Sequence, residues 1–165
     1  MCKKYVNVST RCYKSITTIE NSVISYNAPF TIIRHEDCGE GVAISDFAIV
    51  TDIDFLGTNN EEHKKENPLE SRKKLDFIIR LTKCSLDERE RIGYDLASFS
   101  IDLNELYEAE LVNKACFGFI NCTRTTNVDK LELPGGLGRY VIKVLIKDSE
   151  DKEYTIQAMS QLNVV

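Results

Sequence analysis

The sequence predicts an all-β protein, or a mainly β protein with one short helix, folded as an antiparallel sandwich. Short segments in which apolar and polar residues alternate recur along the chain, with polar or glycine-bearing turns between them. Helix-forming segments are too few to follow each strand, as a parallel α/β sheet would require. The last third of the chain, residues 131–165, contains a strand, a Pro-Gly-Gly corner and two further strands.

The C-terminal strand pair is the best-defined part of this prediction. From Arg139 to Lys147 the even-numbered residues are all apolar, and they form one face because side chains alternate along a strand: Tyr140, Ile142, Val144 and Ile146. The opposite face is cationic at its ends, with Val141 and Leu145 between the charges. Residues 148–153 suit a hairpin loop. The closing strand has its apolar residues on one parity: Tyr154, Ile156, Ala158, Leu162 and Val164.

The corner before this pair favours one kind of sandwich. Pro134 removes a backbone donor and fixes its own φ, and three glycines allow positive φ where the chain turns: Gly135, Gly136 and Gly138. Tyr140 is the first inward residue of the next strand, so we predict a tyrosine corner, in which the phenol hydroxyl bonds back to the upstream backbone. This feature is typical of immunoglobulin-like Greek-key sandwiches. The alternative is a core tyrosine that only packs.

The rest of the chain contributes shorter elements. Strands are predicted at residues 5–9, 16–19, 23–26, 30–34, 48–56, 75–81, 94–103, 116–122 and 128–133, and a polar loop at 34–41. Residues 57–72 form a polar insertion that we expect to be a mobile loop outside the core, with one helical turn near residues 61–65. Residues 104–114 fit either a short helix or a loop.

The prediction for domain organisation follows from these elements. It is a single sandwich domain, 1–165, with the insertion at 57–72; the alternative is an N-terminal subdomain, 1–56, followed by a sandwich core, 73–165.

Residues from about 47 to 165 resemble a group of uncharacterised bacterial proteins with an immunoglobulin-like, or fibronectin-like, β-sandwich. The resemblance rests on the strand LDFIIRL at residues 75–81, a central strand pair, and an ending of the form Leu-Pro, a glycine-rich turn, then Gly-x-Tyr-x-Ile-x-Val. It implies a sandwich fold and supplies no catalytic motif.

Composition and charge exclude several classes of function. The net charge of −5 gives no basic surface, so binding to nucleic acid or to an anionic membrane is not expected. The first residues cannot form the apolar region of a secretory signal, and the six cysteines include no Cys-x-x-Cys pair. We therefore predict a cytoplasmic protein with reduced thiols and no cofactor.

Two groups of residues could carry chemistry. Asp52 and Asp54 share one face of a predicted strand, and with Asp46 and His35 they are candidates for a metal or small-molecule site. The alternative is the solvated face of an alternating strand. The segment from His35 to Cys38 is rich in ligand-capable side chains, but a polar loop explains it equally.

Two functions follow from these observations. The first is a non-catalytic protein-interaction or accessory module, with Val141 and Leu145 on its interaction surface and either a second copy, as a homodimer, or another protein as partner. The second is a metal-dependent or small-molecule-binding protein, or an enzyme, that uses Asp46, Asp52, Asp54 and His35.

Overall fold

The computed structural model describes residues 5–14, 16–19, 22–26, 32–38, 41–58, 61–84, 92–108 and 119–165, with the backbone alone for 16–19, 22–26, 107–108 and 119. Most of these residues lie in strands, and two antiparallel-rich sheets form a sandwich accompanied by one short α-helix. The predicted mainly β sandwich is confirmed.

The first sheet is built around its longest strand, β6 (Gly41–Leu56). β9 (Phe119–Leu133) pairs antiparallel with one side of β6 over nearly its whole length. On the other side lie β1 (Val6–Tyr13) and the short β5 (Glu36–Cys38), which pair with successive parts of β6. Strands from the first 56 residues and from residues 119–133 thus belong to one sheet.

The second sheet has the order β4-β11-β10-β7-β8. Its strands are β4 (Ile32–Ile33), β7 (Lys74–Lys83), β8 (Gly93–Asp102), β10 (Gly138–Asp148) and β11 (Thr155–Val164). All neighbours are antiparallel except β4, which pairs parallel with β11 at Asn163 and Val164. β2 (Ile16–Ile19) and β3 (Ser22–Tyr26) form a separate two-stranded sheet.

The core lies between the two large sheets and has two clusters. Tyr140 and Ile142 of β10 belong to the first cluster, and Val144 and Ile146 to the second; all four are at most 1% exposed, as predicted. A polar row crosses the inner face of the first sheet between the clusters. It consists of Thr10, Thr51 and Arg124, which are paired across β1, β6 and β9.

The insertion at 57–72 differs from its prediction. The helical turn is present as a 3₁₀ turn, Glu61–His63, but Leu69 and Asn67 are fully buried, so the expectation that this segment lies outside the core is wrong. Asn67 explains the difference, because Nδ2 donates to the Leu56 carbonyl at 2.8 Å and Oδ1 accepts from the Leu69 amide at 2.9 Å. The Asn67 side chain thus provides hydrogen bonds for the Leu56 carbonyl and the Leu69 amide, which allows Leu69 to be buried.

Several strands are longer than predicted, and β6 and β9 differ most. β6 begins at Gly41 rather than near residue 48, with Asp46 at φ 57° allowing a local irregularity that aspartate tolerates better than most residues. β9 is continuous through the polar residues 123–127, which the sequence pattern places between two strands, because these residues pair with β6.

The segment that fitted either a helix or a loop begins as a helix. α1 (Leu103–Glu108) follows β8 directly, and Asp102 Oδ1 accepts from the Asn104 amide at 2.9 Å as its N-terminal cap. The remainder of that segment and the first residues of the predicted strand 116–122, including Cys116, lie outside the described residues.

Candidate interaction surface and carboxylate positions

A β-bulge in β11 changes which side chains face outward. Val144 pairs with Ala158, whereas the next residue, Leu145, pairs with Ile156, so Gln157 is an extra residue in β11. Because Leu145 faces away from the core, Ile156 does so too. The prediction that Ile156 shares one face with Ala158, Leu162 and Val164 is therefore wrong, since a one-residue shift exchanges the two faces of a strand.

The bulge creates an apolar row on the outer face of the second sheet. Ile156 lies beside Leu145, and Leu145 lies beside Ile78 of β7. Met159, two residues beyond the bulge, faces the same side and pairs with Lys143. We call Ile78, Leu145, Ile156 and Met159 the β11 patch. Ile156 is 43% exposed and Met159 66% exposed, whereas Leu145 is nearly covered.

Exposed apolar side chains concentrate along this edge of the sheet. Of the seven large hydrophobic side chains that are exposed among the described residues, five lie on β11, directly beside its ends, or on β4: Ile32, Tyr154, Ile156, Met159 and Val165. Ile32 reaches this edge because it pairs with Asn163. The other two, Ile92 and Leu137, lie in segments near the glycine corner.

Cationic side chains accompany the patch. Arg139, Lys143 and Lys147 alternate with the inward residues of β10 and share the outer face with Leu145. The Lys147 ammonium lies 5.5 Å from the centre of the Tyr154 ring, a cation–π contact. Among the described residues no carboxylate forms an ion pair with Arg139 or Lys143. This face is therefore locally positive on a chain of net charge −5.

The neighbouring cation on β7 is neutralised. Arg80 pairs with Lys143 in the ladder, but its Nη2 donates to Asp95 Oδ2 of β8 at 3.0 Å. The hydrogen bond from Arg80 lowers the pKa of the Asp95 carboxyl, which keeps the pair charged. The positive charges of the outer face that have no ion-pair partner among the described residues thus include those of Arg139 and Lys143 on β10.

The two residues predicted for an interaction surface do face outward. Val141 pairs with Gln161 and is half-buried, and Lys143 separates it from the β11 patch. Leu145 lies within the patch but contributes little exposed surface. The alternation of residues along β10 predicted this outer face. The exposed residues of the β11 patch, Ile156 and Met159, could not be predicted, because their orientation depends on a bulge that no residue type in β11 indicates.

The glycine corner has the predicted hydrogen bond. The Tyr140 hydroxyl donates to the Gly136 carbonyl at 2.6 Å, and the phenol is fully buried. Gly136 and Gly138 have φ of 72° and 133°, values that favour glycine. Two further contacts hold Gly135 next to Pro134: its amide donates to the Tyr94 hydroxyl at 3.2 Å, and its carbonyl accepts from Lys83 Nζ. Burial raises the pKa of Tyr140 to about 12.

The two central carboxylates of the predicted metal or ligand site lie side by side on the outer face of the first sheet. Asp52 Oδ1 accepts from the Thr123 hydroxyl at 2.7 Å, and Asp54 Oδ1 accepts from Asn121 Nδ2 at 2.5 Å. Both bonds cross from β6 to β9. The pair therefore forms part of a cross-strand ladder, a role that polar residues commonly have on a solvated sheet face.

The other two predicted ligands lie elsewhere. Asp46 is on the same strand, about 20 Å from Asp52 at strand spacing, and its carboxylate accepts from the Ser45 hydroxyl. His35 Nδ1 donates to the Val165 carbonyl at 2.8 Å, which holds β4 beside β11. Hydrogen bonding to that carbonyl raises the pKa of His35. In the described ranges no three His, Cys, Asp or Glu side chains converge as a metal site requires.

Comparison with known proteins adds little to these observations. No protein-family model matches the chain, and no curated protein matches it. Among solved structures, the chain is similar to the CooA pilin subunit from enterotoxigenic Escherichia coli, at 12% identity and a TM-score of 0.30, over 98% of this chain and 99% of that one. At this TM-score the similarity does not establish a shared fold. No helix in the described part of the chain is long and apolar enough to cross a membrane.

Proposed function

We propose that this protein is a non-catalytic interaction module that binds a partner protein through the β11 patch. The observation that carries the proposal is the exposure of Ile156 and Met159 beside Leu145 and Ile78, on a sheet edge that holds five of the seven large hydrophobic side chains exposed among the described residues. Single exposed apolar residues are ordinary on a protein surface, but a group of neighbours is typical of an interaction site.

The patch is presented by a rigid support. β10 lies directly beside β11, and its inward residues are at most 1% exposed, so the outer face rests on a fully packed core. The bulge is locally destabilising, because Gln157 Nε2 is buried and has no hydrogen-bond partner among the described residues. Bulges of this kind re-aim side chains at functional sites, and here the effect is to present Ile156 beside Leu145.

The proposal includes an immunoglobulin-like classification and a cytoplasmic setting. The buried tyrosine corner supports the first, because its bond from Tyr140 to Gly136 is the one that Greek-key sandwiches use. The four described cysteines are free thiols, which is compatible with the second: Cys12, Cys38, Cys84 and Cys122.

The experiment is a selection of peptides from a displayed random library on the wild-type protein, followed by measured dissociation constants on variants. Ile156→Lys and Met159→Lys place a charge in the patch without touching the core, and each should weaken binding by about tenfold or more. The matched control is Ser9→Lys, which adds the same charge at an exposed position of the first sheet. Failure to recover binders, or binding that both patch variants leave unchanged, would contradict the proposal.

A further inference from the structure

We propose that the partner segment recognised by the β11 patch is an extended, acidic and apolar stretch of chain that adds as a new strand to β11 at Thr155–Gln161, on the side where no described strand pairs with it. This inference rests on the proposed function and names the chemistry of the partner. Two independent observations carry it: the direction of the backbone groups along β11, and the uncompensated charge on β10.

The hydrogen bonds to β4 show which backbone groups of β11 face the edge. The Val165 amide donates to the Ile33 carbonyl at 3.1 Å, and the Val165 carbonyl accepts from the His35 amide at 3.0 Å. The backbone groups of Val165 therefore point away from β10. Those of alternate residues point the same way, which places the N–H and C=O groups of Met159 and Gln161 on the edge.

Within the part of the chain that the structure describes, β4 occupies only the far end of this edge. Its pairing with β11 is limited to Asn163 and Val164, and no strand of the described ranges pairs with Thr155–Gln161 on the side away from β10. An edge with exposed donors and acceptors is a template for an added strand. β-strand addition obtains affinity from these main-chain bonds and specificity from the flanking side chains. The flanking side chains here are Ile156 and Met159.

The charge on β10 specifies the composition of the added strand. Lys143 lies one strand inward, directly beside Met159, so an added strand would run about 10 Å from the Lys143 backbone, two strand spacings. A lysine and a glutamate side chain together bridge such a gap across a methionine. Arg139 lies four residues from Lys143 on the same face, but it pairs with Asn163 beside β4, so Lys143 is the cation next to the unpaired part of the edge. Apolar residues against Ile156 and Met159 and carboxylates near Lys143 therefore complement this surface.

Chemically modified versions of the selected peptides test strand addition. In an added strand, one alternate set of amides bonds to β11 and the other set points to solvent. Two versions of the tightest selected peptide, N-methylated on the odd or on the even amides, should therefore differ: one loses binding by tenfold or more, and the other retains it. Equal effects of the two sets would overturn strand addition.

Charge reversal tests the acidic composition. Selected peptides should carry net negative charge, and Lys143→Glu should weaken their binding at least tenfold, with Lys143→Gln intermediate. The matched control, Lys130→Glu, changes an exposed lysine of β9 on the other sheet and should have no effect. Retention of the wild-type unfolding free energy in both Lys143 variants separates lost recognition from lost folding.

The outcomes separate this inference from the proposed function. Peptides that lose binding with Met159→Lys but are basic, or are insensitive to Lys143→Glu, overturn the acidic strand and leave the interaction patch in place. Dimerisation of the protein itself through this edge, abolished by Met159→Lys in light scattering, would show that a second copy is the occupant and would overturn the inference too. Insensitivity to every patch variant defeats both proposals.

Discussion

The role of Tyr140 is the most specific one that the sequence predicts, and its hydroxyl donates a part-buried hydrogen bond to the Gly136 carbonyl at 2.6 Å. Tyr140→Phe removes this donor and leaves the carbonyl of the half-buried Gly136 without that hydrogen bond. We expect the unfolding free energy to fall by about 1–3 kcal/mol, measured by urea denaturation. Tyr154→Phe is the control, because that ring is 37% exposed and the change should cost almost nothing.

The same bond predicts a pH dependence. Burial, with a smaller contribution from Tyr94, raises the pKa of Tyr140 to about 12, above the usual value of 10. Because the folded pKa is the higher one, the stabilisation from Tyr140 is fully present below pH 10 and is lost as the pH rises from 10 to 12. The stability difference between wild type and Tyr140→Phe should narrow over that interval; a constant difference would mean that the phenol is solvated.

Thr51 is a polar residue at a core position, where an apolar side chain would be expected. It is fully buried between Ile49 and Ile53, and its hydroxyl has no hydrogen-bond partner among the described residues. Thr51→Val exchanges the hydroxyl for a methyl group of similar size, so the unfolding free energy should rise by about 1 kcal/mol. Thr51→Ser, which keeps the hydroxyl and loses the methyl, should be destabilising. A stability loss in Thr51→Val would indicate a buried water on the hydroxyl.

Asp52 distinguishes a ligand site from a cross-strand ladder. Its carboxylate accepts a hydrogen bond from Thr123, and an amide oxygen can accept the same bond. Asp52→Asn should therefore leave the melting temperature nearly unchanged, with calcium or with a chelator, in differential scanning calorimetry. Calcium-dependent stabilisation of the wild type that Asp52→Asn abolishes would instead establish the metal-binding alternative.

Among the elements, the loop between β6 and β7 depends on one side chain. Asn67 bridges the Leu56 carbonyl and the Leu69 amide, and Asn67→Ala removes the hydrogen bonds of the part-buried carbonyl and the buried amide. We expect a loss of about 2 kcal/mol in unfolding free energy, together with faster proteolysis between residues 57 and 72. Asn127→Ala, at an exposed position of β9, is the matched control and should have little effect on either measurement.

Strand alternation predicted the elements whose two faces differ in polarity. β7 and β10 are such strands. Their inward residues were identified correctly, because the alternate residues on one face of each strand are all apolar. Alternation could not predict β9, since its middle residues are polar on both sides and only the pairing with β6 makes them a strand. Burial of the insertion was equally hidden, because it depends on a bond between Asn67 and a carbonyl eleven residues away.

The candidate surface was predictable only in part, for a reason of register. β10 is regular, so Val141 and Leu145 could be placed on the outer face from sequence spacing. β11 contains one extra residue opposite Leu145, and a bulge leaves no mark in composition when its residue is an ordinary polar one, Gln157. For the candidate ligand site, the sequence correctly placed Asp52 and Asp54 on one face of β6. It could not show that His35 and Asp46 lie elsewhere, because sequence spacing does not specify distances in the folded protein.

At the scale of the whole molecule, the sandwich joins two apolar clusters across a polar row. Thr10, Thr51 and Arg124 cross the first sheet, and Arg124 closes the row by lying 5.7 Å above the Phe99 ring of β8. Five strands nevertheless contribute buried residues to both clusters: β1, β6, β7, β9 and β10. Each of these strands is hydrogen-bonded along both clusters, so unfolding of one cluster would also disrupt the strand pairing beside the other. We therefore expect the two clusters to unfold together.

Substitutions in the two clusters test this cooperativity. Leu133 belongs to the cluster at the corner and Leu69 to the cluster at the insertion, and both are fully buried. Leu133→Ala and Leu69→Ala should each lower the unfolding free energy by about 3–5 kcal/mol, through lost burial and the cavity left behind. In both variants, calorimetry and circular dichroism should follow one shared transition, because the continuous strands transmit the loss to the whole sandwich. Two transitions in Leu69→Ala alone would show that the polar row divides the molecule into separately folding halves.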